Sequence, residues 1–406
     1  MSSPSAIDRA EGSGHDVADI FRCSADSYCR ENKLPLSHLK VIQDVISCRT
    51  ARLGGHMHRC SSCGHEHPVY NPCGNRHCPG CQSLAKARWL AKRKSELLPV
   101  KYFHMVFTLP HLLNPLTRYN KRIIYDLLFK ATSETILEFG SDPKHGLGGK
   151  VGFMSTLHTW DQKLLEHTHL HCIIPGGALS RDESRWISSR DNFLFPVKAL
   201  SRAFRGRFIG GLKEAFTLEK LNLPWFMTVS DFHSLTAKLW KTEWVVYSKR
   251  PFAGPGKAFD YLARYVHRVG ISNERIRSFK NGQVTFSWRD RSDGNREKTL
   301  TVPAHEFIRR FMLHVLPAQY MRIRYYGFLF NRGRKQNLAT CRRLLGVEPT
   351  AVEPEPETAR ELMLRLAGID ICLCPECKSG TMERTRLIHR EMFTGSWFKR
   401  KEPPDT

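Results

Sequence analysis

His167-Thr168-His169-Leu170-His171-Cys172-Ile173-Ile174 alternates polar and apolar residues, turns wholly apolar, and is closed by Pro175-Gly176-Gly177. That pattern predicts a β-strand entering a core. On a strand, residues two apart share a face, so His169 and His171 project together while Leu170 points the other way. Two imidazoles on a rigid strand offer two metal ligands and leave coordination positions open for a phosphate oxygen. The pair alone decides little. Four His-x-His pairs occur in the chain (56/58, 65/67, 167/169 and 169/171), and a lone pair on a strand is as well explained by packing.

Outward from this strand, 102–109 and 152–159 read as further strands. Stretches 36–46, 82–98, 120–139, 196–216 and 258–269 carry helical periodicity. Residues 280–289 and 298–302 read as a hairpin around Ser292-Asp293-Gly294-Asn295. The expected organisation is a flexible tail over 1–30, a zinc-binding DNA-recognition domain over 31–98, a catalytic domain over 99–346, and a linker with a C-terminal tail over 347–406. The linker is the Pro- and Glu-rich run 348–357. The helix at 196–216 is basic; it either tracks a DNA backbone or presents a charged solvated face.

The histidine strand finds a chemical partner in Tyr261-Leu262-Ala263-Arg264-Tyr265. On an ideal helix Tyr261 and Tyr265 lie about 40° apart, on one face. Phe259, Leu262, Val266 and Val269 form a separate apolar stripe, and Lys257, Arg264 and Arg268 flank the tyrosines on the other side. Phenols at the border of a core and a cationic face suit a nucleophile aimed at phosphate. Free tyrosine has a pKa of about 10, so attack at neutral pH needs nearby cations or a metal-polarised phosphate. Aromatic residues four apart also pack cores, and the cationic flank is what favours the nucleophile.

Cys60-x2-Cys63 and Cys78-x2-Cys81 are two knuckles separated by the fourteen residues 64–77. Four such thiolates predict one tetrahedral structural zinc in a zinc ribbon. Cys73 and His77, with an upstream histidine, offer ligands for a second zinc; the other reading leaves the surrounding histidines facing nucleic acid. Cys374-x2-Cys377, beside Cys372, is half a zinc site by spacing, and structural or inert thiols explain it equally.

Lys and Arg total 63 against 39 Asp and Glu, a formal net charge of +24, which favours polyphosphate partners and also serves general solubility. No stretch reads as a membrane span, and residues 1–14 lack the apolar run of a signal peptide. The expected compartment is the cytoplasm, with the 13 cysteines reduced.

Taken in order, several motifs carry a resemblance: Cys73-Gly-Asn-Arg-His-Cys-Pro-Gly-Cys-Gln82, Phe103-His-Met-Val-Phe-Thr-Leu-Pro110, Leu157-His-Thr-Trp-Asp-Gln162, His169-Leu-His-Cys-Ile-Ile-Pro-Gly-Gly177, Tyr261-Leu-Ala-Arg-Tyr-Val-His-Arg-Val-Gly-Ile-Ser-Asn273, Arg324-Tyr-Tyr-Gly-Phe328 and Cys341-Arg-Arg-Leu-Leu-Gly346. Over about residues 56–346 the chain resembles the rolling-circle insertion-sequence transposases of the HUH superfamily, in the two-tyrosine group with an N-terminal zinc-binding domain.

The resemblance implies an α+β fold: an HUH-type antiparallel sheet flanked by helices, preceded by a small zinc-ribbon domain, with the tyrosine helix across a central histidine strand. It implies that one tyrosine attacks single-stranded DNA at element ends and target site, leaving a 5′-phosphotyrosine and a free 3′-hydroxyl, with no nucleotide cofactor. It further implies Mg²⁺ or Mn²⁺ on His169 and His171, Zn²⁺ as the structural ion, and a nucleoid-associated location in the cytoplasm. Gln162 is the first choice for the third ligand and His158 the second; Asp161 departs from the glycine expected there. A replication initiator or relaxase would share this chemistry. A non-catalytic zinc-dependent DNA-binding protein would instead keep every activity when both tyrosines become Phe.

Overall fold

The structure is a computed structural model and describes residues 15–81, 87, 89–90, 93, 95–144, 146–249, 251–252, 256–257, 270–347 and 358–390. The chain begins with helices α1 (Val17–Glu31) and α2 (Leu36–Ser47) and the strands β1 (Gly55–Cys60) and β2 (Glu66–Tyr70). Then come β3 (Tyr102–Thr108), α3 (Asn114–Tyr119), α4 (Lys121–Ser141), β4 (Gly152–Trp160) and β5 (Glu166–Pro175). The short pair β6 (Gly177–Leu179) and β7 (Trp186–Ser188) precedes α5 (Val197–Thr217), α6 (Val229–Lys241) and β8 (Val246–Ser248). After them lie β9 (Ile276–Lys280), β10 (Gln283–Asp290), β11 (Arg296–Pro303), α7 (Ala304–Leu313) and β12 (Ile323–Gly327). The chain continues through α8 (Arg334–Leu344), α9 (Ala359–Ala367) and β13 (Met382–Ile388).

The expected antiparallel sheet is present, with five strands in the order β12-β4-β5-β3-β8 and the histidine strand β5 at its centre. Period-two alternation sorts its side chains. Phe103, Met105, Phe107, Phe153, Leu157, Leu170, Cys172 and Ile174 enter one large core with Leu128 and Phe129 of α4, Phe204 and Phe208 of α5, and Phe232 of α6. The opposite face carries His104, His158, His169 and His171.

Two expectations need correction here. The tail expected over 1–30 is in part a helix: Val17, Ile20, Phe21, Ala25 and Tyr28 recur at helical spacing and are buried. Asp16 and Asp19 close a capping box at its start, each side chain accepting from the other's backbone N–H at 2.8 and 2.9 Å. Second, the stretch read as one strand over 280–289 breaks at Asn281-Gly282, whose φ angles of 50° and 70° make a two-residue turn between β9 and β10.

The helix α1 packs on α7, with Phe21 and Phe311 edge to face at 5.2 Å, above the sheet β11-β10-β9. This second core also takes in Val41, Ile42, Cys48 and Cys78. It therefore draws on both sides of the boundary expected at 98/99. The expected linker 348–357 and the tyrosine segment 258–269 lie outside the described residues, as does much of the helix expected over 82–98. No helix among the described residues is long and apolar enough to cross a membrane.

Candidate active site

Register places the histidines before chemistry is considered. His158 of β4 stands directly opposite His169 of β5, and His171 sits one pleat further along the same face. The three rings offer ligand nitrogens all within 4.8 Å of one another. His169 Nδ1 lies 2.7 Å from the backbone oxygen of His167, so that nitrogen carries the proton and Nε2 is bare. His171 Nδ1 lies 2.7 Å from Nε2 of His104 on β3, stacked beside it. If Nδ1–H of His171 donates there, its Nε2 is bare too. The two Nε2 atoms face each other at 3.0 Å.

Two bare imidazole nitrogens at that separation repel unless they share a proton or a cation. Bonds of about 2.1 Å to one ion place adjacent ligand atoms about 3 Å apart. The donor set therefore fits a divalent metal. Electrostatics agree: burial pushes His169 down to about 3 and His171 well below its usual value, so both stay neutral with lone pairs available. His104 is also pushed down to about 3, by burial first and then by Lys249 and Arg291. The charge of Arg291, at the turn between β10 and β11, acts on His104, His167, His169 and His171 alike.

His158, the second choice from sequence, is brought beside His169 and His171 as a third candidate ligand. Gln162, the first choice, lies in the turn between β4 and β5, where its backbone carbonyl accepts from the Arg275 guanidinium. The Asp161 carboxylate caps the same turn, accepting from the backbone of Lys163 at 2.8 Å and Leu165 at 2.7 Å. Strand register is what brings His158 to the pair.

Tyr261, Tyr265, Arg264 and Arg268 lie outside the described residues. The flanks of their segment are placed. Phe252 donates its N–H to the carbonyl of Tyr102 at 3.1 Å, at the start of β3, and Lys257 is exposed. On the other side, a Cβ on Gly270 would meet Leu164 at 3.1 Å, in the turn between β4 and β5. The described residues Phe252 and Gly270 thus lie near opposite ends of β5.

The cysteines are sorted differently from expectation. Cys60, Cys63, Cys78 and Cys81 do not share one site. Cys78 and Cys81 join Cys48 and Cys73, while Cys60 and Cys63 join Cys374 and Cys377. In the first group Cys81 Sγ lies 3.5 Å from Cys48 and 3.6 Å from Cys73; in the second, Cys60–Cys377 is 3.6 Å and Cys63–Cys374 is 3.7 Å. Four sulfurs about 2.3 Å from a tetrahedral zinc stand about 3.8 Å apart, so each cluster has a zinc-like shape. His77 is no partner for Cys73. Its Nε2 accepts from the Leu316 N–H at 3.2 Å and its Nδ1 meets Asn75 Oδ1 at 3.1 Å. Sequence reasoning missed Cys48 and His104. Cys48 has no second cysteine at knuckle spacing to announce it, and the position of His104 becomes meaningful only with the β3–β5 register.

A central antiparallel strand carrying paired histidines, with a cysteine-rich N-terminal region, defines the class of HUH-type DNA-processing proteins with zinc-binding modules. Comparisons with known proteins make this specific. Residues 152–337 match a family model described as "Putative transposase", and residues 20–109 match one described as "Transposase zinc-binding domain". The chain is 47% identical over 390 residues to "Putative transposase y4qJ" of Sinorhizobium fredii, covering 94% of this chain and 96% of that one. It is 28% identical over 302 residues to "Transposase for insertion sequence element IS801" of Pseudomonas savastanoi pv. phaseolicola, covering 72% and 70% respectively. No solved structure matches. The chain belongs to the rolling-circle transposases of the IS91 type, enzymes that act on DNA, and its zinc-binding region and cysteine clusters support a structural zinc.

Proposed function

We propose that the protein nicks single-stranded DNA at the ends of its insertion element and transfers the strand through a 5′-phosphotyrosine intermediate. The observation that carries this reading is the 3.0 Å approach of the Nε2 atoms of His169 and His171, with His158 beside them. Mg²⁺ or Mn²⁺ held by His158, His169 and His171 would polarise a non-bridging oxygen of the scissile phosphate.

The nucleophile in this account is Tyr261 or Tyr265. Its phenol oxygen bonds to phosphorus, the bond from phosphorus to the 3′-oxygen breaks, and that oxygen leaves as a hydroxyl carrying the phenol proton. A phosphotyrosyl ester replaces a phosphodiester, so bond energy is kept and no nucleotide cofactor is needed. The second tyrosine would serve a later transesterification. Lys257, Arg264 and Arg268 would hold the DNA backbone, and the charge of Arg291 at the histidines suits the same anion. His104 is a positioning residue in this scheme, since it acts through its contact with His171. The protein would act in the cytoplasm, on nucleoid DNA.

The test is metal-dependent nicking of labelled single-stranded element-end DNA by the wild type and the His158→Ala, His169→Ala and His171→Ala variants. Loss of nicking in all three, with DNA binding retained, is the expected outcome. Full activity in any one of them would remove that histidine from the site, and full activity in His169→Ala would overturn the reading.

A further inference from the structure

The cluster of Cys60, Cys63, Cys374 and Cys377 draws its halves from sequence positions 311 and 317 residues apart. The matched zinc-binding region ends at residue 109 and so contains only one half. The two halves share a backbone turn, but the sulfur that accepts backbone N–H groups is the first cysteine of one and the second of the other. In the first, the N–H groups of Ser62 and Cys63 point at Cys60 Sγ, both at 3.4 Å, and Gly64 follows with φ of 71°. In the second, the Gly380 N–H points at Cys377 Sγ at 3.3 Å, and Lys378 follows with φ of 55°. Cys60 N–H donates to the carbonyl of His65 at 2.9 Å, and Cys374 N–H to that of Gly380 at 2.8 Å. Both are cysteine knuckles closed by a residue in the left-handed region.

The halves are also fitted to each other. A Cβ on Gly380 would stand 2.3 Å from Cys60 Sγ, so glycine lets the second knuckle close on the first. Ser61 N–H donates to the carbonyl of Thr381 at 3.0 Å, and Thr381 N–H returns a bond to Ser61 Oγ at 3.0 Å. Beyond them β13 pairs antiparallel with β1, from Cys60 opposite Met382 to Gly55 opposite Ile388, completing a sheet in the order β13-β1-β2.

Burial does not account for this docking. Five of the seven residues of β13 are exposed, and a strand that hides so little apolar surface gains little from the hydrophobic effect. Yet holding it orders its backbone and side chains, which costs conformational entropy. A soft four-thiolate cage of tetrahedral shape supplies the missing free energy when it binds zinc, since binding free energy becomes folding free energy.

We propose that Cys60, Cys63, Cys374 and Cys377 bind one Zn²⁺, distinct from the ion at Cys48, Cys73, Cys78 and Cys81. This ion clamps the C-terminal segment onto the N-terminal strands as a zinc ribbon built from both ends of the chain. The four thiols lose their protons to solvent on binding. Nothing in this assignment depends on the DNA chemistry, so its failure and the failure of strand transfer are separate events.

The experiment uses the full chain with a protease site engineered between Val347 and Thr358 and a tag at the C-terminus. Zinc per chain is measured by atomic emission in a His169→Ala, His171→Ala background, which removes the histidine centre as a zinc binder. Two ions are expected, falling to one in Cys374→Ser, Cys377→Ser and to one in Cys48→Ser, Cys81→Ser. After cleavage the C-terminal fragment should stay bound, and should leave on chelation or in the Cys374→Ser, Cys377→Ser variant. Cys377→His, which keeps a ligand, should restore both the second ion and retention, separating a lost site from a misfolded chain. Unchanged zinc content in Cys374→Ser, Cys377→Ser, or a fragment retained equally without zinc, would overturn the clamp.

Discussion

His104 is the residue whose role is narrowest and most testable. Its Nε2 sits 2.7 Å from His171 Nδ1, so it can fix which nitrogen of His171 is left for a metal. His104→Ala is expected to weaken Mn²⁺ affinity about 10- to 100-fold and to recover nicking at high Mn²⁺. An unchanged metal dependence in a folded variant would assign His104 to packing alone. At this scale the sequence was only partly legible. The spacing of His169 and His171 announces a shared face, because a strand repeats every two residues. His158 and His104 stand on other strands, and only pairing register brings them to the same place. Cys48 was hidden for a like reason: its partners Cys73, Cys78 and Cys81 meet it through the packing of α2 and not through a local motif.

Among the elements, α1 and the turn between β9 and β10 were the least well read. Helical periodicity over 17–31 is plain once Asp16 and Asp19 are seen as a capping box, but the polar run before it suggests a tail. Phe21 is fully buried against Phe311, and Phe21→Ala should destabilise the protein by about 3–5 kcal/mol in urea unfolding. A change of under about 0.5 kcal/mol, as at a surface position, would return this segment to a tail. Asn281-Gly282 carries the strongest short hairpin signal, yet it sits inside an alternating run that reads as one strand. With φ of 70° at Gly282, Gly282→Ala should cost about 1 kcal/mol, measured by the same unfolding midpoint; a neutral result would contradict the turn.

For the whole molecule, charge and protonation give the broadest expectations. A formal charge of +24 predicts that affinity for single-stranded DNA falls linearly with salt on logarithmic axes. Replacing Lys257, Arg264 and Arg268 together by Ala should reduce that slope by about 2, at about 0.7 per phosphate contact; an unchanged slope would take them off the DNA. Stability should also depend on pH. Burial lowers His38 and His314 to about 4 from an ordinary 6.5. Between those values the unfolded chain binds more protons than the folded one, so stability is present above pH 6.5 and is lost as pH falls toward 4. The urea midpoint should be lower at about pH 5 than at about pH 7, and equal midpoints would argue against neutral buried histidines.

The fold class followed from the resemblance of the ordered motifs and the zinc-binding region from cysteine spacing, while the meeting of Cys374 and Cys377 with Cys60 and Cys63 needed three dimensions. Tyrosine strand transfer at a histidine-held metal stands or falls on trapping the covalent intermediate. Purified protein is incubated with labelled single-stranded element-end DNA and Mn²⁺ and resolved on a denaturing gel. An adduct that survives denaturation and disappears in the Tyr261→Phe, Tyr265→Phe double variant is expected. An adduct that persists in that variant, or DNA binding with no adduct on any end sequence, would contradict it.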